Sequence, residues 1–343
     1  MKKRLTWIIA SALLILTTLL AVGFLLQKGD NEKTNGLAEH YDVSSNGTIA
    51  YITFTDGKPS LRIKNDKQKL EKELIQYDND KIILDPSFSA DGSQLVYIVS
   101  NKDMEQTPYS WVVSINIQTE EISTLFKEQQ LITEIELAKN DQSIFYLQAG
   151  TFENYSPITG KRPHDIDIFE YHLKEKQQIQ HTKLKEYGMN SLQVDEKGRY
   201  AYVAMVDDKE EQTADDAFEM KERIFQISLN GTNKVKVYSA PDRKEDIYDF
   251  NFIGNEIIFQ SVANSETNGI FEYELFQFNP ASNKETQLTQ LGKSASHPVI
   301  AADLQTVYFM VDIQFGEDEP EYHLYQLDLA SKKTSEISLP HNY

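Results

Sequence analysis

The sequence predicts an all-β chain built from six repeats of four short strands, and three observations carry that expectation. Apolar residues alternate over short runs, with no long 3.6-residue periodicity after the first ~26 residues. An aromatic is expected to close the second strand of each repeat, at Tyr51, Tyr97, Tyr146, Tyr202, Phe259 and Tyr308, with spacings of about 46, 49, 56, 57 and 49 residues. Each of those strands follows a turn, most of them rich in Asn, Asp or Gly: Ser45-Asn46-Gly47, Ala90-Asp91-Gly92, Lys139-Asn140-Asp141, Glu196-Lys197-Gly198, Ile253-Gly254-Asn255 and the weaker Ala302-Asp303-Leu304. One four-stranded unit has two apolar faces and cannot cover both, so the units must stack on one another. Each repeat supplies all four of its own strands, so a ring can close by packing the first repeat on the last.

The chain opens with Lys2-Lys3-Arg4 and an uncharged run from Trp7 to Leu26, about 30 Å as a helix and so one bilayer core. Basic residues before it and Asp30 and Glu32 after it predict a single-pass anchor, with residues 1–6 cytoplasmic and the C-terminal part outside the cell membrane. A cleaved signal peptide ending at Ala21-Val22-Gly23 is the competing reading, opposed by the apolar Phe24-Leu25-Leu26 beyond the cut. Residues 27–38 are polar and aperiodic, a spacer. From residue 39 to the end the chain reads as one repeat domain, without an internal linker. With no cysteine, neither a disulfide nor a lipid-modified cysteine is available, and stability rests on packing.

The third strands are expected at Ser60 to Lys64, Ser110 to Gln118, Asp165 to Leu173, Arg223 to Leu229, Phe271 to Phe278 and Tyr322 to Leu329. The fourth strands follow at Glu73 to Tyr77, Glu121 to Phe126, Gln178 to Lys183, Lys234 to Tyr238, Glu285 to Leu291 and Ser335 to Leu339. The stretches Ser89-Ala90-Asp91-Gly92-Ser93-Gln94-Leu95-Val96-Tyr97, Leu324-Tyr325-Gln326-Leu327-Asp328-Leu329 and Asn283-Lys284-Glu285-Thr286-Gln287-Leu288-Thr289 resemble the repeat of TolB-type six-bladed β-propellers. Ala90 stands where that repeat usually has proline, and Asp195-Glu196-Lys197-Gly198 departs from the motif. The resemblance implies a bacterial six-bladed β-propeller used mainly as a binding scaffold, although some relatives are enzymes.

A net charge of −19 opposes binding to polyanions and excludes a nucleic-acid partner. The loops between second and third strands are long in several repeats and would open on one face. Tyr109, Phe152, Tyr155, Asp215, Asp216, Phe218, Phe315, Glu317 and Asp318 make that face a candidate surface for a basic peptide, protein or glycan at the cell envelope. A second candidate is the mouth of the central channel, expected where the inner strands begin, with His40, Asp42, Asp85, Glu134, Glu136, Asp249 and His297. Converging carboxylates there suit Ca²⁺ and the histidines a softer metal, whereas a water-filled polar channel needs neither. His164-Asp165-Ile166-Asp167 has alternating carboxylates but not the rest of a calcium loop. The Asn-x-Ser/Thr sequences at Asn46, Asn154 and Asn230 read as turns.

Gly292-Lys293-Ser294-Ala295-Ser296 lacks the second glycine of a nucleophile elbow, no His-Glu-x-x-His occurs, and there is no thiol. The sequence thus predicts a protein that binds and does not catalyse, without a cofactor unless Ca²⁺ fills the channel. The alternative is a propeller-type glycoside hydrolase or other carbohydrate-active enzyme using paired carboxylates.

Overall fold

At Asp91-Gly92 the chain folds back as the sequence requires. Gly92 adopts φ +71° and its N–H donates to Ser89 O, while Asp91 Oδ1 accepts from Ser93 N and the Ser89 hydroxyl. Even Ala302-Asp303-Leu304 makes an equivalent turn, because Asp303 accepts from the N–H groups of Gln305 and Thr306 while Leu304 takes the left-handed φ of 55°. Such turns join the first and second strands into antiparallel meanders.

The computed structural model describes residues 34–339, apart from 105–106, 152–153, 157–159, 162–163, 208–219, 233, 241–242, 268 and 318; between 151 and 163 it describes the backbone alone. The Trp7 to Leu26 run lies outside the described residues, and among those described no helix is long and apolar enough to cross a membrane.

Strands β1 (Gly36–Val43), β2 (Ile49–Thr55), β3 (Lys58–Asn65) and β4 (Leu70–Gln76) form the first meander. The second comprises β5 (Lys81–Phe88), β6 (Gln94–Asn101), β7 (Ser110–Asn116) and β8 (Ile122–Glu128). In the third, β9 (Ile132–Leu137), β10 (Ser143–Thr151), β13 (His164–His172) and β14 (Gln177–Gln180) are interrupted by a small hairpin of β11 (Asn154–Ser156) and β12 (Gly160–Lys161). The long loop expected between Thr151 and His164 is therefore partly structured. The fourth is β15 (Met189–Val194), β16 (Tyr200–Val206), β17 (Glu222–Ser228) and β18 (Val235–Val237). The last two, β19 (Phe250–Ile253) to β22 (Lys284–Gln287) and β23 (Ser294–Ile300) to β26 (Lys333–Glu336), are linked by one parallel pair, Tyr273 of β21 (Tyr273–Asn279) with Ser294.

The innermost strands touch in cyclic order, β1 to β5, β9, β15, β19, β23 and back to β1. Each junction between neighbouring sheets holds an apolar cluster, and these six clusters are the core. The recurring aromatic lies within the strand and faces a neighbouring sheet, as Tyr97 does at the centre of β6 and Phe259 in β20 (Glu256–Val262). The ring closes where Leu37, Tyr41, Ile49 and Tyr51 pack on Met310, Leu324, Ile337 and Leu339, and Lys64 Nζ donates to Ser338 O at 2.5 Å. Burying an apolar side chain of this size contributes about 1.5–3 kcal/mol, so side-chain packing joins first repeat to last without a shared strand.

Candidate binding site on the ring axis

The inner strands are irregular where they face the axis. Register breaks fall between Leu37 and Tyr41 in β1, Leu84 and Ser87 in β5, Asn190 and Gln193 in β15, and Ser296 and Val299 in β23. At three of these bulges a residue has positive φ: Asp85 (42°), Ser191 (55°) and His297 (50°). A bulge re-aims side chains, and a non-glycine residue in this region costs of order 1–3 kcal/mol, so the surrounding ring must hold it there.

What holds it is a set of links from each inner strand to the next. Asp42 Oδ2 accepts from Phe88 N at 2.7 Å, and Asp85 Oδ2 from Ile135 N at 2.6 Å. Glu134 accepts from Ser191 N at 3.0 Å through Oε1 and from Leu192 N at 2.8 Å through Oε2. Ser191 Oγ donates to Asp249 Oδ1 and accepts from Phe250 N, both at 3.2 Å, and Asp249 Oδ2 accepts from His297 N at 3.3 Å. The circle closes as Ser296 Oγ donates to Glu39 Oε1 at 3.1 Å and Tyr41 OH to His297 O at 2.7 Å. The acidic residues on the axis are thus in large part structural: they satisfy backbone donors that the bulges leave unpaired.

His297 is the positive centre of this ring. Its Nδ1 stands 3.2 Å from Asp249 Oδ2 and 3.3 Å from Glu39 Oε1, neither contact having the alignment of a hydrogen bond, and its ring meets that of His40 edge-on at 5.6 Å. Burial pulls His297 down, but Asp249, Glu39 and Glu134 outweigh it and raise it to about 10. Burial likewise raises Glu39, yet His297, His40 and Ser296 together hold it at about 2. Burial, then the charge of His297, pushes His40 down to about 4. Burial lifts Asp42 to about 6, Glu134 to about 7 and Glu136 to about 8, against the backbone donors on Asp42 and Glu134 and against Lys139 near Glu136. Asp85 is raised well above the usual range by burial and by Glu134.

These directions fix how stability varies with pH. Asp42, Glu134 and Glu136 keep protons that the unfolded chain releases near pH 4, so their contribution is complete below about pH 4 and lost as pH rises through 6 to 8, and Asp85 acts in the same direction. His297 acts in the same sense, its contribution present below about pH 6.5 and lost toward pH 10. Opposing them, the contribution of His40 is present above about pH 6.5 and lost as pH falls through 4, and that of Glu39 is lost toward pH 2. Four carboxyls outweigh one imidazole, so the melting temperature is expected to fall between pH 5 and pH 8. A rise over that interval contradicts a protonated ring.

All seven residues predicted for the channel, His40, Asp42, Asp85, Glu134, Glu136, Asp249 and His297, line one axial cavity of about 450 Å³. Their position along the axis differs from the expectation. The lining runs from mid-strand to turns between first and second strands, including Ser44, Ala90, Lys139 and Leu304, and contains no residue of the loops between second and third strands. Apart from Asp249, which precedes β19, these residues sit at bulges or later in the inner strands and not at their starts, so the cavity reaches the end of the ring opposite the long loops. Glu39, Tyr41, Ser191 and Ser296 were not foreseen. A bulge lets the consecutive Glu39 and His40 both contact His297, which strict alternation along a strand forbids.

The other candidates are dispersed. Tyr109 is half-buried against Trp111 (centroids 4.5 Å apart) beside a second cavity of about 490 Å³, and Phe315 is half-buried edge-on to Tyr273 at 5.3 Å, so neither is the freely exposed aromatic expected. Glu317 is exposed. Phe152, Asp215, Asp216, Phe218 and Asp318 lie outside the described residues, as does the side chain of Tyr155 in β11. Asp167 accepts from the Thr182 hydroxyl and Leu184 N, both at 2.7 Å, which uses it structurally. Among the described residues no three His, Asp or Glu side chains are grouped as a metal ion requires.

No family model and no curated protein matches the sequence. Solved structures do resemble the fold. TolB from Acinetobacter baumannii superposes over 90% of this chain and 65% of its own, with TM-score 0.56 and 12% identity, so this chain spans less than two thirds of that protein. An oligogalacturonate lyase in complex with manganese matches over 88% and 78% with TM-score 0.58 and 11% identity. The β-propeller domain of the Trilobed protease from Pyrococcus furiosus matches over 90% and 85% with TM-score 0.53 and 11% identity. The fold is that of TolB-like β-propellers. The expectation that the chain is not an enzyme is corrected here: a lyase is among the proteins built on this fold, so missing hydrolase and metalloprotease motifs do not exclude catalysis.

Proposed function

We propose that the chain is a six-bladed propeller that takes a cationic side chain of a protein or peptide partner into its axial cavity. The carrying observation is the cavity's lining: the carboxyls of Asp42, Asp85, Glu134, Glu136 and Asp249 converge there against His297 and Lys139, and those that burial keeps protonated gain negative charge as pH rises. Most of these carboxylates already accept from backbone N–H groups, which leaves Glu136 to meet a ligand. A guanidinium or ammonium group beside Glu136 favours its ionised form, so binding releases a proton and tightens as pH rises through about 8. The charge favours a peptide over a glycan. The proposed setting is the outer face of a membrane, with Trp7 to Leu26 as tether; digestion of the domain by protease added to wall-stripped cells supports it, and protection opposes it.

Calorimetry with N-acetyl-arginine amide tests the site. Expected are millimolar or tighter binding at pH 8.5, weaker binding at pH 6, and a loss of several-fold at pH 8.5 in Glu136→Gln. Binding indifferent to pH and to Glu136→Gln overturns the site, and competition by CaCl₂ at equal ionic strength identifies the ligand as a metal.

A further inference from the structure

Four large apolar side chains are exposed among the described residues, and two of them, Ile270 (64% exposed) and Phe271 (49%), are consecutive. They occupy the loop between β20 and β21, at the end of the ring opposite the cavity mouth. The loop holds them outward. Asn264 brackets the pair, its Nδ2 donating to Ile270 O at 3.0 Å and its Oδ1 accepting from Glu272 N at 2.8 Å, while Thr267 Oγ1 donates to Asn264 O at 2.8 Å. Such bracketing forgoes the burial that collapse of the loop would bring, which is the mark of a presented surface.

The surface continues onto the next blade. A methyl group on Gly316 would stand 3.2 Å from Ile270 Cδ1, so the two loops touch, and Gly316 has φ +90°. Beside it Phe315 packs on Tyr273, which packs on Tyr248 at 5.5 Å, a rigid aromatic layer next to the exposed pair.

Charge decides the occupant. Residues 263–272 carry Glu266 and Glu272 and no base, and residues 313–321 carry Glu317, Asp318, Glu319 and Glu321 and no base; of these acids Glu321 is paired, with His323 at 3.0 Å. Lys293, on the adjoining link, donates its Nζ to Ile313 O at 2.8 Å. A symmetric contact with a second copy would lay these acids against one another, and an anionic bilayer would repel them. We infer that Ile270, Phe271 and Phe315 form a docking surface for a protein segment that presents an apolar side chain flanked by lysine or arginine. Apolar contact anchors that segment and the acidic rim sets its charge.

The test uses the full chain in detergent and a fluorescent hexapeptide with two leucines between pairs of arginines. The wild type is expected to bind it, more weakly as salt rises, and the Ile270→Ser/Phe271→Ser variant to bind about tenfold more weakly. The same change at Ile122, the other exposed isoleucine, is expected to leave binding intact. Should the double variant melt early, Glu266→Gln/Glu272→Gln/Glu317→Gln serves instead, with loss of the salt dependence expected. Glu136→Gln separates this site from the axial cavity, since peptide capture here survives it. The proposal is overturned if the double variant binds as the wild type does, or if a peptide with glutamates in place of the arginines binds equally. It is also overturned if the substitutions abolish self-association or binding to phosphatidylglycerol vesicles in place of peptide capture.

Discussion

Arg243→Ala is expected to destabilise the domain by about 3–5 kcal/mol, a fall in melting temperature of about 5–8 °C for a chain of this length. Arg243 lies in the link between β18 and β19, with its side chain only 8% exposed. Its guanidinium stands over Phe276 at 5.0 Å and Phe259 at 5.1 Å, pairs with Glu285, and donates to Ser261 Oγ at 2.7 Å. A cation desolvated between two rings and a carboxylate is worth more than its surface counterpart, and its removal opens a cavity and deprives Glu285 of its counter-ion. The backbone is engaged too, since Arg243 O accepts from Arg223, which also donates to Glu222 O and Glu245 O. Arg243→Lys keeps the charge but not the planar stacking and should fall between wild type and alanine. A shift below about 1 °C for the alanine variant would mean that the two phenylalanines close the gap by themselves. The site is involved because this link leads into Asp249, which holds the ring at His297.

The repeats were legible because turn chemistry and a second-strand aromatic recur in every unit, fully buried at Tyr51, Tyr97, Tyr146 and Phe259 and half-buried at Tyr202 and Tyr308. Predicted third strands such as Asp165 to Leu173 and Tyr322 to Leu329 agree with β13 (His164–His172) and β25 (Tyr322–Asp328) to within one residue at each end. Other bounds slipped by two to four residues, β3 opening at Lys58 and not Ser60, β4 at Leu70 and not Glu73, and the fourth strands expected to reach Leu291 and Leu339 ending at Gln287 and Glu336; the fifth repeat shows one cause. Phe271 was expected to open its third strand, which begins instead at Tyr273, because Asn264 claims the backbone on both sides of Ile270-Phe271. The axial acids were legible as residues but not in their roles. Alternation places a side chain on one face of a sheet, whereas the bulges at Asp85, Ser191 and His297 turn side chains toward the axis out of phase. Ser191 therefore carried no signal, although it links two blades. Tyr109 and Phe315 read as exposed from loop composition, but each found a neighbouring aromatic that composition does not reveal.

The same ring geometry makes Glu134 and Asp85 respond differently to the same chemical change. Both oxygens of Glu134 accept a backbone N–H from the fourth meander, so Glu134→Ala strands Ser191 N and Leu192 N on the axis, and a loss of about 2–4 kcal/mol is expected. Glu134→Gln retains one acceptor and turns its amide NH₂ toward the other N–H, so about 1–2 kcal/mol is expected. Asp85 has one such bond, from Ile135 N to Oδ2, which leaves Oδ1 to carry the proton that burial and Glu134 favour. Its amide isostere matches that protonated acid, and Asp85→Asn is expected to change stability by less than about 1 kcal/mol at neutral pH. Urea titration of the three variants at pH 7 is the measurement. If Asp85→Asn costs as much as Glu134→Ala, Asp85 is ionised in the ring, and the negative charge available to a cationic ligand is one unit greater than this geometry assigns.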